Sequence, residues 1–257
     1  LVAIWLQGIY LPLHGFAYTE TPFWAGVYML PMLIGTVIMG PIGGSLTDKY
    51  GARLFATLGM IIVAVSLFAL TMLPYNFSLV TFEIILFING LGNGLFSAPN
   101  TTAIMNSLKS IERGAGNGMR QTFNNIGSTI SMAMFFTITI TVFTIYLPSQ
   151  MYSSAISFGL PAPIAAFLSK LSPSGLLFAA FLGIDPASAL PSNLAGSLPV
   201  SAISTLDSHV FLPSVIGPAF MIGLRFSIYL SVALVLAGAI FSYMRGKKYV
   251  IEEDSPS

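Results

Sequence analysis

The chain has 257 residues, of which 55% are hydrophobic and 7% charged, with a net charge of +1 and no cysteine. Soluble domains carry about 25% charged residues, so this chain has too few to clothe a water-facing surface. Its near-zero balance offers nothing to nucleic acid, and the absence of thiols excludes disulfides and thiolate metal sites.

A mean hydropathy of +0.84 and several apolar runs of the ~20 residues a helix needs to cross a bilayer predict an all-α, multi-pass membrane protein. The runs are continuous, unlike the alternating segments of a membrane β-barrel. The first, residues 1–11, is too short to span. It begins without Met and lacks the basic start and small-residue cleavage site of a signal peptide. It reads as the end of a helix that begins upstream, so the sequence is expected to be a fragment. Pro12 closes it, and a polar link with His14, Glu20 and Pro22 follows.

A second span covers residues 23–43, with Pro31 and Pro41 inside it, which membrane helices tolerate where neighbours re-satisfy the freed carbonyls. A charged turn, residues 43–53, leads to a third span at 54–72. The fourth runs from about 77 to 108, followed by a polar turn at 109–114, and the fifth covers 115–147. Residues 148–216 are rich in Pro, Ser, Ala and Leu. They are expected to form a long external loop or hairpin, or amphipathic helices lying on the bilayer; a further re-entrant span is the alternative, against which Ser, Pro and Asp185 interrupt the apolar patches. The last span is 217–244, and 245–257 form a tail. Spans one to five, residues 1–147, thus precede the loop and one span follows it.

Lys and Arg sort strongly across this topology. One side receives Lys49, Arg53, Lys109, Arg113, Arg120, Arg245, Lys247 and Lys248, and the other only Lys170. Basic residues mark the cytoplasmic side, which places the charged turns and the C-terminus there, in a cell membrane.

Two stretches carry a family signal. Gly44-x-Leu46-x-Asp48-Lys49-x-Gly51-x-Arg53, between spans two and three, resembles the loop signature of the major facilitator superfamily, with Ala52 where that family is usually basic. Asn89-Gly90-Leu91-Gly92-Asn93-Gly94, Ser97-Ala98-Pro99-Asn100 and Glu112-Arg113-Gly114-Ala115-Gly116-Asn117-Gly118 with Arg120-Gln121 resemble the second half of its fourteen-helix drug:proton antiporter branch. So do the opening Trp5-Leu6-Gln7-Gly8-Ile9-Tyr10-Leu11-Pro12 and the position and length of the external segment. The resemblance implies a six-helix transmembrane bundle, the C-terminal half of a major facilitator fold, whose N-terminal half is missing here. It implies a solute site near the midplane between the halves, no cofactor, and a proton gradient as the coupling ion. The partners implied are the lipid bilayer and small amphipathic or cationic solutes.

In that setting Gly44, Asp48, Lys49, Gly51 and Arg53 form a conformational-switch loop. Asp48 would cap the next helix and pair with a cation in a latch that breaks as the halves rock. By family analogy the first and fourth spans line the cavity, which makes Gln7, Tyr10, Asn89 and Asn93 solute-facing candidates; interhelical hydrogen bonding is the competing reading for span four. Glu83, inside span four, is a candidate for the coupling proton or a cationic solute, because an ionisable group within a span is costly. Arg225, inside the last span, is the candidate partner of Glu83. Asn117, Gln121, Asn124 and Ser128 recur at spacings of four and three on span five, a polar stripe expected at a helix interface or gate. The motifs Gly90-x-Gly92-x-Gly94 and Gly114-x-x-x-Gly118 lack any βαβ context and are expected to mark close helix packing. His14 and His209 are isolated, and no nucleophile elbow appears.

The sequence therefore predicts part of a secondary active transporter, a proton-coupled multidrug exporter working by alternating access, and no enzyme. The alternatives are a major facilitator carrier for a sugar or metabolite, and a non-transport membrane subunit.

Overall fold

A computed structural model describes residues 1–182, 206, 208 and 210–244. Every regular element among them is helical. Helix α1, Val2–Leu13, contains a five-residue π-helical stretch, Leu6–Tyr10. It stops at His14 and Gly15. The His14 ring nitrogen Nδ1 lies 2.8 Å from the Tyr10 carbonyl, so as an N–H donor it satisfies one orphan carbonyl of the helix end.

Helix α2 is Thr21–Tyr50, with Pro31 and Pro41 inside, and α3 is Ala52–Met72. The charged stretch between them is not a loop, as the sequence suggested. Residues 43–50 continue α2, and the only break is Gly51 at φ +88°, a conformation that costs glycine little. Its N–H donates to the Thr47 carbonyl at 2.8 Å. One glycine therefore marks the break, although Pro41, Gly43 and Gly44 before it are themselves poor helix formers carried within α2.

Helix α4 is Leu79–Asn106, and a short 3-10 turn, Ser110–Glu112, leads into α5, Arg113–Ser157, of 45 residues. At 1.5 Å per residue α5 is about 68 Å long, more than twice the ~30 Å hydrocarbon core. It passes straight through Pro148, so the fifth span does not end at 147 as expected. Two shorter helices follow, α6 (Ala162–Leu168) and α7 (Pro173–Leu182), bent by 94° at their break in the manner of a broken span or re-entrant loop. The last helix, α8, is Phe211–Tyr243, and begins six residues before the expected 217. The rest of the loop, with Asp185 and His209, and the tail with Arg245, Lys247 and Lys248 lie outside the described residues. Among the described residues, five helices are long and apolar enough to cross a membrane, or six if α6 and α7 count as one.

The chain divides into two compact units, with boundaries inside helices. One contains Leu1–Tyr28, Leu73–Ser78 and Phe135–Ser227. Its core is aromatic. The Trp5 indole N–H donates to the Tyr75 carbonyl at 3.0 Å, and Trp5 meets the Phe77 ring edge-on at 4.6 Å. On α8, Gly223 lies against the Thr139 backbone of α5, where the Thr139 and Ser227 hydroxyls bond at 2.7 Å. Helix α7 packs on the π-helical stretch of α1.

The other unit contains Met29–Met72, Leu79–Met134 and Ile228–Ser257. Here α4 is the hub, and its glycines set the spacing. A Cβ on Gly90 would strike the Met32 carbonyl of α2. One on Gly94 would come within 2.6 Å of the Thr36 carbonyl, and one on Gly92 within 2.9 Å of the Gly59 carbonyl of α3. Glycine permits this approach, and at such range the Thr36 hydroxyl also reaches the Gly90 carbonyl, at 3.2 Å. The packing expected for these glycines is therefore present. It is absent at Gly114 and Gly118, where an added Cβ would meet nothing within 4 Å.

Gly90→Ala should accordingly cost about 1–3 kcal/mol by overpacking, whereas Gly118→Ala, with open space around it inside a helix, should stabilise by up to about 1 kcal/mol. Thermal unfolding of the two variants in detergent measures the contrast, and equal midpoints would contradict the glycine contact.

Candidate functional site

The switch residues straddle the α2–α3 break. Gly44 is half-buried, and Asp48 and Lys49 are exposed on the last turn of α2. Asp48 does not occupy the N-cap of α3, because Gly51 is the residue before that helix. The capping role read from the sequence is thus corrected. Asp48 stands instead at the negative end of the α2 dipole, where an anion is disfavoured and the adjacent Lys49 is favoured. Arg53, on the first turn of α3, holds its guanidinium over the Tyr243 ring near the end of α8, 4.2 Å from the centroid. That cation–π contact, worth about 0.5–1 kcal/mol at an exposed site, ties the switch segment to the last helix. No sequence motif announced it.

Gln7 and Tyr10 both fall in the π-helical stretch of α1, a distortion often found at functional sites. Gln7 is half-buried. Tyr10 is buried, with its ring stacked on Phe77 at 4.0 Å and tilted against the His14 ring at 4.1 Å, so the ring is largely engaged by protein.

On α4, Asn89 is 6% exposed and donates from Nδ2 to the Ser66 hydroxyl of α3 at 2.8 Å. Asn93, half-buried one turn on, donates to Asn89 Oδ1 at 2.9 Å and to its carbonyl at 3.0 Å. The amide of Asn89 is thus committed to an interhelical bond, and Asn93 is the more accessible of the two. Ser66 escaped the sequence reading; its signal was a hydroxyl well inside an apolar span.

Glu83 is half-buried on the second turn of α4. Arg225 donates from Nη2 to the Leu73 carbonyl at 3.2 Å, one residue past the end of α3, where a cation suits the helix dipole. Its Nε is buried without a hydrogen-bond partner. Arg225 thus spends charge on a helix terminus, a contact between positions far apart in sequence.

The polar stripe of α5 lies open. Asn117, Gln121, Asn124 and Ser128 are all exposed. Gln121 donates to Asn125 on its own helix at 3.3 Å. Asn117 accepts from Arg120 Nε at 3.3 Å, and Arg120 Nη1 crosses to the Thr101 hydroxyl of α4 at 3.1 Å. Beside the stripe, Arg120 thus links Asn117 to a neighbouring helix. No group of three His, Cys, Asp or Glu side chains suited to a metal is found among the described residues.

Comparison with known proteins gives a consistent result. Residues 1–246 match the family model of the Major Facilitator Superfamily. The chain is 31% identical over 115 residues to the riboflavin transporter RibZ of Clostridioides difficile, covering 45% of this chain and 25% of that protein. It is 28% identical over 191 residues to the multidrug transporter protein MdtP of Bacillus subtilis, covering 72% and 35%. It is also 28% identical over 120 residues to the methyl viologen resistance protein SmvA of Salmonella typhimurium, covering 47% and 24%. The chain thus spans about a quarter to a third of the curated relatives it matches. No solved structure gives a significant match.

The Asn89–Ser66 bond is open to a double-mutant cycle. Asn89→Ala and Ser66→Ala should each destabilise the protein, with a coupling energy of about 0.5–1.5 kcal/mol, the range for polar pairs between membrane helices. Strict additivity in detergent unfolding would remove the structural role given to Asn89.

Proposed function

The chain belongs to the major facilitator superfamily, a family of membrane transporters, and on that premise we propose that it is the C-terminal half of a proton-coupled exporter of small amphipathic or cationic solutes. The observation that carries this reading is the open stripe of Asn117, Gln121, Asn124 and Ser128 on a membrane-length helix. Polar side chains at bilayer depth cannot be left to lipid. Their natural neighbour is a second helical half and the watery path between halves. Among the relatives, a multidrug transporter and a methyl viologen resistance protein support efflux of such solutes.

The mechanism is alternating access, in which the two halves rock about a midplane site. Proton and solute act by binding states of different accessibility with different affinity. Gln7 and Asn93 are the proposed solute contacts, since Tyr10 and Asn89 are largely engaged within the protein. Glu83 is the proposed proton carrier on this half. Asp48, held at an unfavourable helix end, is the proposed latch: an anion there gains by meeting a cation of the other half in one state and is released in the other. The excess of Lys49, Arg53, Lys109, Arg113 and Arg120 over Lys170 supports a cytoplasmic switch face and C-terminus in the cell membrane. Coupling comes from the proton gradient, and neither a cofactor nor nucleic acid takes part. The riboflavin transporter among the relatives favours a second reading, a carrier of the same mechanism for a metabolite.

The complete protein in inverted vesicles tests this. A proton gradient should drive uptake of a cationic dye, and an uncoupler should abolish it. Glu83→Gln should lower gradient-driven transport by about fivefold or more, the low end of ordinary coupling energies, while sparing solute counterflow. Asp48→Asn should impair transport more than membrane insertion. Dye movement indifferent to both the uncoupler and Glu83→Gln would refute proton coupling at this residue, and riboflavin movement without dye movement would select the second reading.

A further inference from the structure

Below the polar stripe, α5 carries a second stripe on its opposite face. Met119, Phe123, Ile126 and Ile130 recur at spacings of four, three and four, and all are exposed. At 100° per residue each sits roughly opposite a member of the polar set. In a membrane helix one of these faces meets protein or water, and the apolar one meets acyl chains.

The apolar stripe ends in a groove of about 600 Å³ between the ends of α4 and α5. Ile104 of α4 and Leu108 of the turn after it form one side, and Met119 and Phe123 of α5 the other. Leu108 folds close over Gly116, where a Cβ would collide with it. Into this apolar setting projects one guanidinium. Arg120 lines the groove with Asn124 beside it, and its position is set by the bonds to Asn117 and to Thr101. Three of its donor groups are used in those bonds, which leaves a fixed cation with N–H capacity to spare. The turn that joins the helices adds Lys109 and Arg113, both exposed, against the single acid Glu112, which also lines the groove. A break between two membrane-length helices lies at a bilayer face. The groove therefore presents an apolar trough continuous with the lipid-facing stripe, and a basic end at headgroup level.

We propose that this groove is a binding site for one anionic phospholipid. Its acyl chain lies along Met119 and Phe123, and its phosphate is taken by Arg120, with Lys109 and Arg113 adding attraction. The occupant is chosen by two features together. Continuity with the exposed apolar stripe selects a molecule already in the bilayer, and the excess of basic over acidic residues selects a negative headgroup. The inference needs only the membrane fold, and does not depend on what the protein carries.

Native mass spectrometry of the complete protein, released from bilayers of equal phosphatidylglycerol and phosphatidylcholine, provides the test. Phosphatidylglycerol should be retained at least about fivefold over phosphatidylcholine, the effect of one basic residue near a headgroup. Arg120→Ala should remove that preference, while Arg120→Lys should keep most of it. Ala115→Trp, which fills the groove and leaves Arg120 in place, should remove retention of the lipid itself. Equal retention of the two lipids, or a preference unchanged in Arg120→Ala, overturns the proposal whatever Ala115→Trp does. Displacement of bound phosphatidylglycerol by inorganic phosphate in the wild type, with phosphate binding intact in Ala115→Trp, assigns the basic end to a free anion and overturns it too.

Discussion

A hydrogen-bonding group within a bilayer cannot be handed to solvent, and this single constraint orders the structure. It forces the backbone into helices, and it leaves each polar side chain to find protein, water or a headgroup. Asn89 meets Ser66, Thr139 meets Ser227, Arg225 meets the end of α3, and Trp5 meets the Tyr75 carbonyl. These bonds are made possible by close approach. Helix α4 comes near enough to α2 and α3 for a hydroxyl of one to reach a carbonyl of another only because Gly90, Gly92 and Gly94 have no Cβ to hold the backbones apart. In lipid, where no hydrophobic force draws helices together, such contact packing is the main source of association.

The same constraint separates the polar residues into two kinds. Those of α4 are largely used up within the chain, Asn89 above all. Those of α5 are not: one face of that helix is polar and open, and the opposite face is apolar and open. A helix with both faces uncovered is a helix whose surroundings are mixed. The polar face fits a protein or aqueous neighbour and the apolar face fits lipid, and Arg120 stands at the border between them, bonded to Thr101 on one side and Asn117 on the other.

Much of the fold was legible in the residues. Long apolar runs in a chain with so little charge admit only membrane helices, and the runs beginning near Thr21, Ala52, Leu79, Arg113 and Phe211 are helices of spanning length. The glycines at 90–94 read correctly as close packing because they lie in the interior of a span. Boundaries were harder. Pro148 suggested an end to the fifth helix, yet α5 continues to Ser157, since the carbonyl freed by one proline does not outweigh a helix otherwise continuous on both sides. The charged stretch at 43–53 looked like a loop because charge interrupts hydropathy, but charge does not break helix geometry; only Gly51 does.

The sequence by itself determined the class of protein, the number of long spans and the family, because bilayer thickness and the cost of unsatisfied polar groups act on each segment separately and leave a local trace. Tertiary structure alone decided which polar residues are spent and which are open. Asn89 and Asn117 look alike in sequence, both amides at helical spacing among glycines, yet one is buried against Ser66 and the other is exposed. The pairing of Arg53 with Tyr243 and the bond from Arg225 to the Leu73 carbonyl belong to the same category. In each, the partners are brought together by helix packing across long stretches of chain, and no local pattern encodes a contact whose geometry is set by where another helix lies.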